Sequence, residues 1–343
     1  MLKIKKDNLT NLFSKISSDM PLYLPIEKNN SSEYGLYQEG VATALDMLNT
    51  TKSPKDLFFP QNETLAHFKM SGKNIEIIPP QIKDEKFVVY GVRACDAKSF
   101  DILDMVFMSD PVDEFYASRR NNSIIITSAC SMPEESCFCN VFNIDATNPA
   151  GDIASWVVND DVLFKANTEK GESFLEKYKD MFEDANTNDE KALEEQKEKV
   201  KNILDKLPLA NLDLSQFGEG ATNKLFDRPE WDELSKACIG CGTCTFVCPT
   251  CQCYDIRDFN TGHGVQRYRC WDSCMYSDFT RMAHGNSRKT QKERFRQRFM
   301  HKLVYFPDNN NGEFSCVGCG RCVAKCPISM NIAKVARVLG GAK

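Results

Sequence analysis

From residue 1 to about 180, short β-branched and aromatic runs alternate with stretches whose apolar positions recur at helical spacing. That alternation is the pattern of a mixed α/β region. Its clearest unit is the apolar run Phe87, Val88, Val89, Tyr90, Gly91, Val92, which reads as a buried strand. A helix follows, with Asp96 placed to cap it and Phe100, Leu103 and Phe107 on its apolar face, and Ile124, Ile125 and Ile126 form a second strand. A strand, helix, strand unit of this length predicts a right-handed crossover with parallel strands, so both strand C-termini share one sheet edge. Cys95 and Cys130 fall at those ends.

The polar stretch from Asp189 to Leu207 keeps a narrow stripe of Leu193, Val200, Ile203, Leu204 and Leu207, which predicts a packing helix ended by Pro208. Residues 208–235 carry Pro, Gly and Asn and read as a linker. The expected division is therefore an N-terminal α/β domain at 1–207, a linker at 208–235, and a second domain at 236–343.

No run of 18 apolar residues occurs, and the first 20 residues lack the apolar core and cleavage site of a secretory signal. A cytoplasmic protein without membrane insertion is expected. The 16 cysteines then point to metal, because cytosolic thiols stay reduced. The net charge of −5 hides a bipolar chain: residues 236–343 hold 17 Lys and Arg against 7 Asp and Glu, which leaves −15 on the rest. An acidic N-terminal half argues against nucleic-acid binding. No GxGxxG, GxxxxGK[ST] or HExxH motif is present.

Cys238, Cys241, Cys244 and Cys248 precede Pro249, and Cys316, Cys319, Cys322 and Cys326 precede Pro327, so CxxCxxCxxxCP occurs twice. Three cysteines in seven residues suit one face of a [4Fe–4S] cubane, whereas structural zinc sites pair separated knuckles. In two-cluster ferredoxins the fourth cysteine of each run ligates the other cluster. Cys238, Cys241, Cys244 and Cys326 are thus expected on one cluster, and Cys316, Cys319, Cys322 and Cys248 on the other. The 67 residues between Cys248 and Cys316 predict an α-helical ferredoxin-like domain with an inserted segment. Ile239, Val247, Val317, Val323 and Ile328 are expected to supply its apolar shell.

A second constellation comprises Cys95, Cys130, Cys137 and Cys139. The crossover brings the first two to one edge and the loop SMPEESCFC returns the others. A third [4Fe–4S] cluster is the favoured reading, with buried or reactive thiols as the alternative. Cys251, Cys253, Cys270 and Cys274 match no ligand spacing and are expected to pack beside the clusters. The basic run from Arg281 to Lys302 suits either a solvated helix face or a dock for an acidic partner. His263, His284 and His301 have no motif partner and read as structural.

The segments GVRACDAKSFDILD, DEFYASRR, CSMPEESCFC, CPTCQCYDI, RYRCWDSC, RQRFMHKLVYF and CVGCGRCVAKCP together resemble one family of dicluster iron–sulfur proteins, the one that groups the A-subunit of anaerobic sulfite reductase with the beta-subunit of sulfhydrogenase. The resemblance runs from about residue 87 to the C-terminus. It implies an electron relay between a flavoprotein NAD(P)H-oxidoreductase subunit and a catalytic oxidoreductase subunit, such as a siroheme sulfite reductase or a nickel–iron hydrogenase. It carries the eight C-terminal motif cysteines over as ligands and puts Cys95, Cys137 and Cys139 within family motifs, while Cys270 departs from the pattern. A rival reading is a catalytic subunit whose N-terminal cysteine site reduces a substrate such as a disulfide.

Overall fold

A computed structural model describes residues 1–29, 31–45 and 49–341. Its strands are β1 (Leu2–Lys5), β2 (Leu22–Lys28), β3 (Ser31–Leu36), β4 (Asn62–Ser71), β5 (Asn74–Ile78), β6 (Phe87–Val92), β7 (Ser123–Ser128), β8 (Ile153–Val158), β9 (Asp161–Ala166), β10 (Glu183–Asp184), β11 (Tyr254–Asn260) and β12 (Val265–Trp271), followed by a small ribbon, β13 (Arg281–Met282) and β14 (Gly285–Asn286). The main sheet runs β10-β1-β9-β8-β7-β6-β2-β3. β2, β6, β7 and β8 pair in parallel, while β3 on one side and β9, β1 and β10 on the other pair antiparallel. A central strand covered on both faces should be apolar throughout, and all six residues of β6 are buried.

Successive residues of these strands serve opposite layers. Val88, Tyr90, Ile124 and Ile126 pack with Leu9, Leu12, Phe13 and Ile16 of helix Leu9–Asp19. Val89 and Ile125 pack instead with Phe100, Leu103 and Phe107 of helix Ala94–Phe107. Gly91 has φ +82°, and the β6–β7 register shifts between Tyr90 and Val92. That bulge puts Val92 in the same layer as Phe87 and Val89. β6 and β7 are parallel, as the crossover expectation requires, with Val88 opposite Ile124 and Tyr90 opposite Ile126. Asp96 does not cap the intervening helix: Arg93 holds the N-cap position and Asp96 is buried in the first turn.

The C-terminal part is mixed rather than wholly helical. The segment between the two cysteine motifs forms the β11–β12 hairpin, and β12 pairs antiparallel with β4 to complete a second sheet, β11-β12-β4-β5. Two hairpins nearly 200 residues apart in sequence therefore share one sheet. Beneath it, Arg269 of β12 is buried, with Nε 2.8 Å from Glu63 of β4, and it also pairs with Asp113 ahead of helix Glu114–Asn122. Residues 208–235, which read as a linker, contribute Leu209, Leu212, Leu225, Trp231 and Leu234 to a core shared with Phe295, Phe299, Leu303, Val335 and Leu339. The Trp231 indole nitrogen donates to the Leu225 carbonyl at 2.7 Å, which accounts for an aromatic buried in a stretch of Pro, Gly and Asn.

The two halves also meet backbone to backbone. Phe138 N donates to Gly318 O at 2.9 Å, and a Cβ on Gly318 (φ +58°) would lie 2.3 Å from Phe138 O. Gly262, in the β11–β12 turn, has φ +83° with open space around it. Gly262→Ala should cost about 1 kcal/mol, the left-handed backbone alone. Gly318→Ala should cost more than about 3 kcal/mol, because backbone must move as well. Denaturation midpoints of the two variants test this, and equal losses would contradict the described contact.

Candidate iron–sulfur centres

The two motifs fold alike. Gly240 and Gly242 in the first have φ +67° and +73°, and Gly318 and Gly320 in the second have +58° and +77°. In each, the second glycine opens a one-turn helix, Thr243–Phe246 or Arg321–Ala324, and these turns pack against each other. Left-handed backbone at both glycines of CxGCGxC curls the loop so that its cysteines can share one side.

Cys248, Cys316, Cys319 and Cys322 line one cavity. Cys95, Cys130, Cys137 and Cys139 line another, and Cys319 belongs to its wall as well. The reason for this contact is the glycine loop: a Cβ on Gly320 would lie 2.5 Å from Ser136 O, so the Cys319 loop rests on the Cys137–Cys139 loop. Among the described residues, no three His, Cys, Asp or Glu side chains close on a single-ion point.

Of the remaining motif cysteines, Cys238 and Cys244 are partly buried against the C-terminal core, and Gln291 Nε2 donates to Cys238 Sγ at 3.3 Å. Cys241 is exposed, its thiol donating to Thr243 Oγ1 at 3.4 Å, and Cys326 is half-buried. Of the expected apolar shell, Val247 and Val317 are buried, whereas Ile239 is 65% exposed, since its loop lies on the surface.

Burial dominates the acid–base character of these thiols. It pushes Cys130 up to about 11, Cys139 and Cys316 up to about 12, and Cys244 up to about 11. Cys95, Cys137 and Cys322 rise for the same reason. A buried sulfur is stable as a neutral thiol or as a thiolate bound to a cation, and soft iron suits an all-sulfur donor set. Two polar groups beside the second motif point the same way: Arg298 Nε and Nη1 and Ser315 Oγ are buried with no hydrogen-bond partner.

Cys251, Cys253, Cys270 and Cys274 do not gather into one set. The Cys251 thiol hydrogen-bonds Cys248, and Cys253 pairs with Cys274, whose thiol holds Cys253 down to about 7. Cys270 lies on β12 opposite Asp255 and Asn62. The basic run is internal only at its C-terminal end, with Arg281 and Lys289 exposed. Arg298 and Lys302 are buried, Lys292 pairs with Asp232 at 2.9 Å, and Arg296 donates to Phe226 O at 2.9 Å while lying over its ring.

Sequence reasoning missed three cations, Lys55, Arg298 and Lys302. A signal existed for two of them: Phe295, Arg298, Phe299, Lys302 and Leu303 follow the i, i+3, i+4, i+7, i+8 spacing of a core stripe, with cations at two core positions. It also missed Asp96 and Arg321, which form a bidentate pair (2.5 and 2.7 Å) with 0% and 3% of their surfaces exposed.

Two cysteine-lined cavities meeting at Cys319, beside a doubled glycine–cysteine loop, define an iron–sulfur protein. The 4Fe-4S dicluster domain family matches residues 237–330. Sulfhydrogenase 2 subunit beta of Pyrococcus furiosus is 32% identical over 341 residues, covering 97% of this chain and 96% of that protein. The chain belongs to the sulfhydrogenase subunit beta family and is an iron–sulfur electron-transfer protein. No solved structure matches it. No helix among the described residues is long and apolar enough to cross a membrane.

Removing one partner of a buried ion pair strands the other. Arg321→Met should therefore cost about 3–5 kcal/mol, while Asp96→Leu combined with Arg321→Met should recover most of that loss. Melting midpoints of the anaerobically prepared chains decide it. Equal losses in the single and double variants would contradict the pairing.

Proposed function

We propose that the chain relays electrons through three [4Fe–4S] clusters arranged in series. Cys95, Cys130, Cys137 and Cys139 hold the first. Cys248, Cys316, Cys319 and Cys322 hold the second, and Cys238, Cys241, Cys244 and Cys326 the third. Cys319 carries this reading, because it lines both of the first two cavities. Adjacent centres separated by one ligand loop suit successive one-electron steps. The second and third sets are linked through the packed turns Thr243–Phe246 and Arg321–Ala324. Each cluster supplies a one-electron couple when bound. The protein's part is to hold sulfur in place, exclude water and fix the surrounding charge.

In this reading the chain works in an oxidoreductase complex, between a flavoprotein subunit that exchanges electrons with NAD(P)H and a catalytic subunit of hydrogenase or sulfite reductase type; its likeness to a sulfhydrogenase beta subunit supports membership of such a complex. The rival in which the N-terminal cysteines reduce a disulfide is disfavoured by burial: Cys95, Cys137 and Cys139 are buried and Cys130 is half-buried, so a substrate disulfide has no open access to a pair of them.

Anaerobically purified chain should contain about twelve irons and as many sulfides. About eight would remove the N-terminal cluster from the relay. Crossed ligation makes a sharper demand. Cys248→Ser and Cys316→Ser should perturb one and the same electron paramagnetic resonance signal, and Cys326→Ser and Cys238→Ser should together perturb a different one. Grouping of Cys248→Ser with Cys238→Ser would overturn the assignment.

A further inference from the structure

Lys55, Arg298 and Lys302 are only 2%, 2% and 3% exposed, and among the described residues none of them makes a salt bridge to a carboxylate. Their contacts are neutral. Lys55 Nζ donates to the carbonyls of Cys248 (3.0 Å) and Cys251 (2.8 Å) and lies 3.6 Å from the centre of the Trp271 ring. Lys302 Nζ donates to Thr250 Oγ1 (2.7 Å) and Ser315 O (2.9 Å). Arg298 Nη2 donates to Cys244 O at 3.1 Å, while its Nε and Nη1 are buried without partners.

A buried cation without a counter-charge is strongly destabilising, and here three are gathered around one group of sulfurs. Arg298 and Lys302 line the cavity of Cys248, Cys316, Cys319 and Cys322, and Lys55 holds the loop that carries Cys248. Thr250, which receives Lys302, has its hydroxyl 3.3 Å from Cys248 Sγ. The geometry also explains the placement. Lys302 sits in a π-helical turn, His301–Tyr305, that widens the helix where its side chain enters the core. A [4Fe–4S] core with four thiolates is a net dianion when oxidised and gains one more negative charge on reduction, so fixed cations favour the reduced form.

We infer that Lys55, Arg298 and Lys302 form a cationic frame that raises the reduction potential of the cluster held by Cys248, Cys316, Cys319 and Cys322. They are positioning residues, acting on the cluster through space and through the ligand loops. This rests on the ligand assignment above. Lys55 comes from the N-terminal half, so the potential of this centre depends on both halves being docked.

The test is a redox titration of the full-length, cluster-loaded chain, followed by electron paramagnetic resonance. At the wild-type midpoint, Lys302→Met should lower the reduced-to-oxidised ratio of this cluster at least tenfold, a downward shift of about 59 mV for one electron. Lys302→Arg, which keeps the charge, should restore the wild-type ratio. Lys55→Met, a change made in the other half of the chain, should move the ratio in the same direction and gives the reading if Lys302→Met does not load iron. Full iron content with an unchanged midpoint in the methionine variants overturns the inference. A wild-type chain that binds no iron overturns the ligand assignment beneath it.

Discussion

The bidentate contact between Asp96 and Arg321 organises this molecule. Asp96 follows Cys95 in the first turn of helix Ala94–Phe107, and Arg321 stands between Cys319 and Cys322. One buried ion pair, its partners 225 residues apart in sequence, therefore ties the two cysteine sets together. Arg321 Nε also donates to Thr50 O at 2.9 Å, so the guanidinium is satisfied on its remaining edge. A planar fork with each of its edges occupied leaves little rotational freedom. That rigidity holds the two cysteine-lined cavities in a fixed relation.

Around this pair the chain is interlocked rather than divided. The β11–β12 hairpin lies between the cysteine motifs in sequence but completes a sheet begun by β4 and β5. Arg269 clamps that sheet to the N-terminal layer through Glu63 and Asp113. Lys55 reaches the other way, from the N-terminal half to the carbonyls of Cys248 and Cys251. Lys55 thus joins the halves and also lies beside the cysteine loop, so architecture and electrostatics cannot be varied independently there.

Much of the local structure was legible in the sequence. The runs at Phe87–Val92 and Ile124–Ile126 declared buried strands because both faces of a central strand must be apolar, and their parallel pairing followed from the connecting helix. The gathering of Cys95, Cys130, Cys137 and Cys139 followed from the same topology. The spacing of the doubled motif placed Cys248 with Cys316, Cys319 and Cys322. What escaped was long-range. The β4–β12 pairing joins strands whose apolar alternation is broken by charged residues, and no local pattern names a partner two hundred residues away. Residues 208–235 misled because Pro, Gly and Asn mask a core built on Trp231. Arg298 and Lys302 were hidden because a cation on a helix is ordinarily a solvent-facing group, and only their phase relative to Phe295 and Phe299 marks them as internal. Ile239 erred the other way, an apolar residue on an exposed loop.

The shared second sheet has a consequence for how the protein is made. A ribosome releases the β4–β5 hairpin, Thr50 and Asp96 long before it releases β12 and Arg321. Until then, the early hairpin has an unpaired edge and Asp96 lacks its counter-charge. The N-terminal cysteine cavity also lacks the wall that the Cys319 loop supplies. The first half to be synthesised thus waits for the last, and its cysteine pocket closes only once the C-terminal motif has been translated. Completion of that pocket is therefore an event at the end of synthesis, matched to a nearly complete polypeptide rather than to an emerging domain.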